Sequence, residues 1–247
     1  MSQYTSIRSR CILVTRASSG IGQAICSELL SLGHKVIGIA RNAVKGPLNN
    51  NQNFFPCAID LANLGNLPDE LAVISKQHTT IDTIVCCAGR GQFGGLEEFS
   101  YDQIKSLVDL NFISQAYVSK AFLPTLKTQK HSNIIFIGSE AALSGSRKGA
   151  IYCATKFALR GFAQSLRDEC SQSGVHISII NPGATKTPFF DKLNFSHGPE
   201  SCHSIETKEI ADAVVLILTM RPGTVVEEIN LSPLKKVIKS KPPIKQR

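Results

Sequence analysis

The chain of 247 residues contains no tryptophan, only two methionines and only four tyrosines. It also has no apolar run near the roughly 18 residues that a membrane-spanning helix needs. Its first ten residues are polar and lack the apolar segment of a secretory signal. The composition, 43% hydrophobic and 19% charged, is typical of a globular protein with a large core. We therefore expect a cytoplasmic protein with no membrane partner.

The cysteine spacings typical of metal sites and redox motifs are missing. None of the eight cysteines forms a C-x-x-C pair or a Cys/His ligand set. Most lie in strand-like or helix-like runs, which favours reduced, buried thiols over disulfides. His197 and His203 share one expected loop, but a surface position explains them better than a metal does. We predict no metal site.

Acidic residues are absent from the last 16 positions, 232–247, which hold six lysines and arginines. These six account for most of the formal net charge of +8 and leave +2 for the rest of the chain. A basic segment could bind nucleic acid, but this one has adjacent prolines and no interleaved aromatic residues. We expect a single domain over residues 1–231, a basic, flexible C-terminal tail over 232–247, and no nucleic-acid partner.

Short apolar runs alternate with helix-length segments along residues 10–231. Runs that are apolar throughout predict parallel strands buried on both faces. Strands that alternate with helices predict an α/β, doubly wound architecture, with about seven parallel strands and about six helices on both faces. The predicted strands are 10–15, 35–40, 54–59, 81–87, 133–138, 175–181 and 224–231.

The turn after the first strand, residues 15–22, reads T-R-A-S-S-G-I-G and leads into a helix. Backbone N–H groups at such a turn, together with the positive end of the helix dipole, form an anion site. Glycines there let a pyrophosphate approach the backbone closely. We therefore predict a nucleotide-binding loop, with an ordinary strand–helix turn as the alternative.

Tyr152 and Lys156 are four residues apart in the helix predicted over 151–171, so their side chains share one face. A nearby cation favours phenolate, and we expect Lys156 to lower the Tyr152 pKa from its usual value of about 10. Such a pair alone is common on solvated helix faces. Ser139 adds weight, because it follows the fifth predicted strand at the edge where ligands bind in parallel sheets. Asn111, in a helix predicted over 101–127, is either a surface residue or a functional one.

Taken together, these motifs resemble the short-chain dehydrogenase/reductase family in its short single-domain form, which has a Rossmann fold. The likeness covers residues 10–231. Motif matches are Thr15, Gly20 and Gly22 in T-G-x-x-x-G-x-G, Asp60 and Leu61 after the third strand, Ala88 and Gly89 in N-N-A-G, and residues 182–187 in P-G-x-x-x-T. The positions of the family's catalytic residues are occupied by Asn111, Ser139, Tyr152 and Lys156.

The resemblance implies a role for each catalytic residue. Tyr152 exchanges a proton with the substrate oxygen, and Ser139 hydrogen-bonds that oxygen. Lys156 lowers the tyrosine pKa and binds the nicotinamide ribose, while Asn111 holds a water that continues a proton relay. The cofactor-binding residues expected from the motifs are Thr15, Arg16, Ser18, Ser19, Gly20, Ile21, Gly22, Arg41, Asp60, Leu61, Ala88, Gly89, Tyr152, Lys156, Pro182, Gly183, Thr185 and Thr187.

Two of the motifs depart from the family pattern. Arg16 replaces the first glycine of the loop, where a bulky side chain could crowd the adenosine half of the cofactor or reach a ribose phosphate. Cys86 and Cys87 replace two asparagines.

The second strand ends without the acid that binds a free ribose hydroxyl, and Arg41 stands there instead. A guanidinium fits a 2′-phosphate, so we predict NADP(H), with Arg16 or Lys45 as possible helpers of Arg41.

We thus predict an oxidoreductase that transfers a hydride between NADP(H) and a small carbonyl or secondary alcohol substrate, such as a ketone, an aldehyde, a hydroxy acid or a 3-oxoacyl compound. The alternative is a catalytically weak or inactive nucleotide-binding relative.

We expect substrate contacts from residues 90–99, 141–149 and 184–204. We also expect a homodimer or homotetramer that forms through residues 111–127 and 151–171. The pocket candidates are Phe93, Leu143, Phe189, Phe190, Leu193 and Phe195, with Arg90, Arg147 and Lys186 for a carboxylate.

Overall fold

A computed structural model describes residues 9–42, 46–191 and 193–241 of the chain. The strands of this described part are β1 (Cys11–Thr15), β2 (Lys35–Ala40), β3 (Phe54–Ala58), β4 (Thr83–Cys86), β5 (Ser132–Ile137), β6 (Val175–Pro182), β7 (Phe195–His197), β8 (Glu228–Leu231) and β9 (Ile238–Ser240). Seven of them form one parallel sheet in the order β3-β2-β1-β4-β5-β6-β8. The predicted doubly wound α/β fold is therefore confirmed.

Helices cover both faces of this sheet. They are α1 (Gly20–Ser31), α2 (Leu67–Gln77), α3 (Tyr101–Val108), α4 (Ser114–Thr128), α5 (Ala150–Cys170) and α6 (Thr207–Thr219). One apolar cluster packs α1 and α6 against one face, and a second packs α2, α4 and α5 against the other. The strands β1, β4, β5 and β6 are buried along their whole length, as expected for the central strands of a parallel sheet covered on both faces.

The helix predicted over 101–127 contains a structural irregularity that its sequence did not reveal. Between α3 and α4 the segment Asp109–Ile113 is π-helical, so one turn is widened. Ser100 begins α3 with a capping box in which its hydroxyl accepts from the Gln103 N–H. π-helical turns occur often at functional sites, and this one carries Asn111.

The C-terminal segment differs from the prediction of a solvated tail after residue 231. Residues 232–241 return to the body of the protein, and β9 pairs with β7 in a two-stranded antiparallel sheet. The main-chain N–H of Lys235 donates to Cys202 O at 2.9 Å. Backbone pairing of this kind needs no apolar sequence, so the lysine-rich composition gives no sign of it. Residues 242–247 lie outside the described residues.

Candidate active site

The candidate site lies where the carboxyl ends of β1, β4, β5 and β6 meet at one edge of the sheet. Strand order reverses between β1 and β4, and such a switch point leaves a crevice in which open α/β sheets bind ligands. A cavity of about 1040 Å³ opens at this edge. Its lining includes Ser139, Tyr152 and Lys156.

Helix α5 carries Tyr152 and Lys156 into the cavity on one face, as their spacing predicts. Both side chains are buried. The Lys156 ammonium donates to Ile137 O, at the end of β5, at 3.2 Å. It lies 6.0 Å from the centroid of the Tyr152 ring. The pair therefore faces the ligand edge of the sheet rather than solvent.

The net shift of the Tyr152 pKa is opposite to the direction expected from Lys156 alone, because burial outweighs the other influences. Burial raises the Tyr152 pKa to about 12, and a hydrogen bond with Ser139 only partly opposes the rise. Burial also lowers the Lys156 pKa to about 8, with the Arg16 charge acting in the same direction. Desolvation disfavours both charged forms. Tyr152 is consequently a protonated phenol near neutral pH, which makes it a proton donor.

Ser139 follows β5 directly and precedes a single 3₁₀ turn, Glu140–Ala142. Its Oγ accepts a hydrogen bond of 3.2 Å from the Ala141 N–H, which orients the hydroxyl at the start of that turn. The hydroxyl also lies close enough to the Tyr152 phenol to lower its pKa. Two oxygens that can both donate a proton or a hydrogen bond therefore lie together at the cavity wall.

Asn111 is fully buried and lies behind the cavity wall, so a surface position is excluded. Its Oδ1 accepts from the Arg90 N–H at 2.9 Å, and its Nδ2 donates to Arg90 O at 3.0 Å. Nδ2 also donates to Thr155 Oγ1, on α5, at 3.2 Å. The amide thus ties the loop after β4 to the helix that carries Tyr152. Gln115, which sequence reasoning missed, adds a bond of 2.8 Å from its Nε2 to Ala88 O.

The nucleotide loop has the close packing that its glycines predict. A Cβ on Gly22 would clash with the Arg16 carbonyl oxygen, so the turn of α1 can lie against the end of β1 only with glycine there. Gly20 has a positive φ of 56°. Thr15 Oγ1 accepts from the N–H groups of Cys87 at 2.8 Å and Ala88 at 3.0 Å. This hydroxyl joins the ends of β1 and β4.

Arg16 has φ 57°, in the left-handed region that glycine adopts without strain. Its half-buried side chain crosses from β1 to β4, and Nη1 donates to Gly89 O at 2.6 Å. The guanidinium lies near enough to Cys87, Tyr152 and Lys156 to affect the pKa of each. It therefore occupies the crevice at the switch point.

The residues expected at the adenosine end lie further from this cavity. Arg41 is exposed at the end of β2. Asp60, after β3, accepts from the Ala62 N–H at 3.0 Å through Oδ1 and so closes its own turn. Leu61 is part of the apolar core. Ser18 is exposed and Ser19 half-buried at the start of α1, and Lys45 lies outside the described residues.

Residues 182–187 form the opposite wall of the cavity. Pro182, Gly183, Thr185 and Thr187 all line it. Thr185 Oγ1 donates to Gly183 O at 3.0 Å, and Thr187 Oγ1 accepts from the Phe189 N–H at 3.3 Å. The Thr187 side chain would lie 3.4 Å from a Cβ atom added to Gly20. The loop after β6 therefore lies against the nucleotide loop.

Four of the predicted apolar pocket residues line the cavity, namely Phe93, Phe189, Phe190 and Phe195. Leu143 and Leu193 do not, because Leu143 points to solvent and Leu193 packs inside the protein. Arg90 and Arg147 line the cavity, whereas Lys186 pairs with Glu206 outside it at 3.5 Å. Sequence reasoning missed the lining residues of the C-terminal segment, Lys236, Ile238, Ser240 and Lys241.

The cysteines are all free thiols. Cys87 lines the cavity beside Arg16, and burial raises its pKa to about 11. Among the described residues one group, Glu200, Cys202 and His203, brings three potential metal ligands within 4.8 Å. His203 Nδ1 accepts from the Glu200 N–H at 3.3 Å, which accounts for its orientation without a metal.

Comparison with known proteins identifies the family. The model of the short chain dehydrogenases matches residues 10–197, and the chain belongs to this family. An uncharacterized oxidoreductase of Staphylococcus epidermidis is 29% identical over 231 residues, which cover 92% of this chain and 99% of the relative. An uncharacterized oxidoreductase of Staphylococcus aureus is 28% identical over 236 residues, which cover 93% of this chain and all of the relative.

A solved structure supports the same family. A metagenomic short-chain oxidoreductase in complex with NADP has a TM-score of 0.78 and 28% identity, covering 93% of this chain and 99% of that one. Within the described ranges, no helix combines the length and apolar character required to cross a membrane. The chain is therefore an oxidoreductase of the short-chain dehydrogenase family, a family that binds nicotinamide cofactors.

Proposed function

We propose that this protein is an NADP(H)-dependent oxidoreductase acting on a small carbonyl compound or secondary alcohol. The observation that carries the proposal is the buried pair of Tyr152 and Lys156, which faces Ser139 at the ligand edge of the sheet. A purely structural role for a buried phenol would not require a hydroxyl and an ammonium beside it. It is well suited to exchanging a proton with a substrate oxygen.

The residues of the crevice fit a dinucleotide in most respects. The start of α1 presents backbone N–H groups, and Gly22 lets the helix turn lie against β1. Lys156 supplies a buried cation, and Thr187 supplies a hydroxyl from the opposite wall. Arg16 alone fits poorly, because its side chain bridges the crevice. The remaining residues support the cofactor despite this obstacle.

The bound cofactor would supply or accept a hydride. In the reductive direction Tyr152 would give its phenolic proton to the developing alkoxide, and its raised pKa keeps that proton in place near neutral pH. Ser139 would donate a hydrogen bond to the same substrate oxygen. Lys156, with a pKa of about 8, would hold the cofactor ribose and return a proton towards Tyr152. Asn111 would position the loop after β4 and α5 through its three bonds.

The preference for NADP(H) over NAD(H) rests on Arg41. It follows β2, where an acid would bind a free ribose hydroxyl, and its side chain is exposed and available to a 2′-phosphate. Arg16 does not help, because it extends towards β4, on the far side of β1 from β2. The likeness to an oxidoreductase solved with NADP supports the same choice.

A second function, a nucleotide-binding protein of weak or no activity, is favoured by one specific observation. Arg16 occupies the crevice and Cys87 replaces a polar side chain at its edge. Both changes would weaken the cofactor site while leaving Ser139, Tyr152 and Lys156 in place. Fold alone does not guarantee activity, so binding and turnover must be measured separately.

We further propose a homodimer or homotetramer and a cytoplasmic location. Exposed aromatic side chains on α4 and α5, Tyr117 and Phe157, support association through these helices. The free cysteines support a reducing compartment.

The test is a fluorescence titration of the protein with NADPH and with NADH, followed by oxidation of NADPH in the presence of ketones and aldehydes and reduction of NADP⁺ in the presence of hydroxy acids. We expect NADPH to bind more tightly than NADH and to be oxidised with at least one carbonyl compound. Binding without turnover of any compound would favour the second function. Failure to bind either dinucleotide would refute both proposed functions.

A further inference from the structure

Aromatic side chains from two parts of the chain form one wall of the cavity above Tyr152. We call Phe93, Phe189, Phe190 and Phe195 the aromatic wall. The Phe93 ring lies 5.0 Å from the Tyr152 ring, and the Phe189 ring lies 6.0 Å from it. Phe195 meets Phe93 edge to face at 5.0 Å. The surface next to the phenol is consequently apolar and suited to a flat ring.

The C-terminal segment, residues 232–241, holds this wall in place. Its strand β9 pairs with β7, which carries Phe195. The Lys241 N–H donates to Asn194 O at 2.7 Å, and Lys241 Nζ donates to Phe190 O at 2.6 Å. These bonds fix the backbone on both sides of the aromatic side chains. The wall is thus built in, and its rings need not be ordered by a substrate.

Three of the cations that line the cavity are already engaged. Lys236 pairs with Glu140 at 2.7 Å, Lys241 bonds to Phe190 O, and Arg90 Nη2 donates to Ser106 Oγ at 2.6 Å. A carboxylate substrate that binds any of these three would have to replace its partner. A sugar would bring several hydroxyl groups against an apolar surface, where a polar group without a partner costs free energy.

We propose that the substrate carries an aromatic or similarly flat apolar group next to its carbonyl or carbinol carbon, and that the aromatic wall selects it. This inference rests on the proposed function and names the substrate class of the same site. Aryl aldehydes and aryl ketones are preferred over aldohexoses and hydroxy acids.

The test compares NADPH oxidation with benzaldehyde and acetophenone against NADPH oxidation with glucose and acetoacetate, so that all four compounds are assayed in the same direction. We expect kcat/KM for the better aryl compound to exceed that for either polar compound by about 100-fold, near the limit for a well-fitting apolar pocket. Phe93→Ala and Phe195→Ala should each raise KM for that compound about tenfold and leave the NADPH Kd unchanged. Phe55→Ala, on the exposed face of β3, is the matched control and should change neither.

Turnover of the polar compounds at rates equal to the aryl ones would overturn this inference and leave the proposed function intact. An unchanged KM in both wall variants would also overturn it. Turnover of no compound at all would refute the proposed function together with the inference.

The position of Arg16 carries a second, independent inference. Its backbone is in a conformation that costs a non-glycine residue about 1–2 kcal/mol. Its guanidinium hydrogen-bonds Gly89 O, across the crevice between β1 and β4. These strand ends flank the switch point where a dinucleotide binds in this architecture. The side chain therefore spans the path that the cofactor must take.

We infer that Arg16 is a latch that closes the dinucleotide crevice in the free protein, and that binding must break its hydrogen bond to Gly89. The sequence left two roles open for Arg16, crowding the cofactor or reaching a ribose phosphate. The direction of its side chain, towards β4 and away from β2, favours the first. The latch lowers the affinity for both dinucleotides by the same factor, because it does not contact the 2′-phosphate.

Two variants test the latch by fluorescence titration, without any measurement of activity. Arg16→Gly removes the side chain and the backbone strain, while Arg16→Met keeps the length and strain but cannot donate. We expect both to lower the Kd of NADPH and NADH by about tenfold, since a bond from a charged donor is lost from the free state.

Weaker binding in either variant would overturn the latch and make Arg16 a phosphate ligand. An unchanged Kd would overturn it and leave the proposed function standing. If the wild type binds no dinucleotide and Arg16→Gly binds one, the result supports the latch and refutes the proposed function. If neither the wild type nor the variants bind a dinucleotide, the latch and the proposed function are both refuted.

Discussion

Tyr152 and Lys156 lie one helical turn apart on α5, both buried, with the ammonium 6.0 Å from the centroid of the phenol ring. Burial moves the two pKa values in opposite directions, to about 12 for Tyr152 and about 8 for Lys156. The protein thus keeps a proton on the phenol near neutral pH and places a group of near-neutral pKa beside it. This pairing suits proton donation by the phenol at neutral pH.

The buried ammonium of Lys156 should reduce the stability of the free protein. Its pKa falls from 10.5 to about 8 on folding, so the unfolded chain binds the proton more tightly and the free energy of unfolding decreases as pH falls from above 10.5 through about 8. Lys156→Met should raise the free energy of unfolding by up to about 3 kcal/mol at pH 7. The gain should shrink at pH 10. Urea denaturation at both pH values measures it.

The exposed lysine of α2, Lys76, provides the control, and Lys76→Met should change stability little at either pH. Destabilisation by Lys156→Met at pH 7, or an equal gain at both pH values, would contradict the assigned cost of burial.

Asn111 should contribute strongly to stability, because its amide satisfies both main-chain groups of Arg90 and bonds Thr155. Asn111→Ala leaves these groups without partners in a buried site and should lower the free energy of unfolding by about 2–4 kcal/mol. Asn63→Ala, at an exposed position, should change it by less than about 0.5 kcal/mol. Urea denaturation measures both changes. Equal changes in the free energy of unfolding for the two variants would show that the Asn111 amide does not stabilise the protein through these bonds.

The nucleotide loop should tolerate no side chain at Gly22. In Gly22→Ala the new methyl group would meet the Arg16 carbonyl, and we expect a loss of about 1–3 kcal/mol from overpacking. Gly161→Ala is a matched substitution on α5, where nothing lies within 4 Å of the new Cβ. It should stabilise the protein by about 1 kcal/mol because alanine favours the helix. Thermal melts that move in the same direction for both variants would disprove the close packing of the loop.

Arg41 should decide between the two dinucleotides. Arg41→Asp removes the guanidinium and introduces an acid at the end of β2, so the NADPH Kd should rise roughly 10- to 100-fold while the NADH Kd stays constant or falls. Arg221→Asp makes the same change of charge at an exposed position after α6 and should affect neither. An equal loss of affinity for NADPH and NADH would show that Arg41 does not bind the 2′-phosphate.

Much of the fold followed from local sequence patterns. The apolar runs placed all seven strands of the sheet, because central strands that are buried on both faces are rich in apolar residues. The start of the last one was predicted at Thr224 and lies at Glu228, because Val225 and Val226 just before it are also strand-like and give no boundary signal. Placing Tyr152 and Lys156 on one face of α5 needed only helical spacing.

Features that depend on tertiary contacts could not be predicted from the sequence. The π-helical turn at Asn111 is held by bonds to Arg90 and Thr155, which are distant in sequence. Pairing of β9 with β7 joins backbone groups and leaves no trace in side-chain pattern. The Tyr152 pKa depends on how deeply α5 is buried, and spacing alone suggested the opposite direction.

The proton transfer assigned to Tyr152 is the central claim, and Tyr152→Phe tests it most directly. The variant keeps the ring against Phe93 and loses only the phenolic oxygen. NADPH should bind to it with the wild-type Kd, while the rate of NADPH oxidation with the best carbonyl substrate should fall by about 10³-fold. Turnover within tenfold of the wild type, with NADPH bound equally well, would contradict the account.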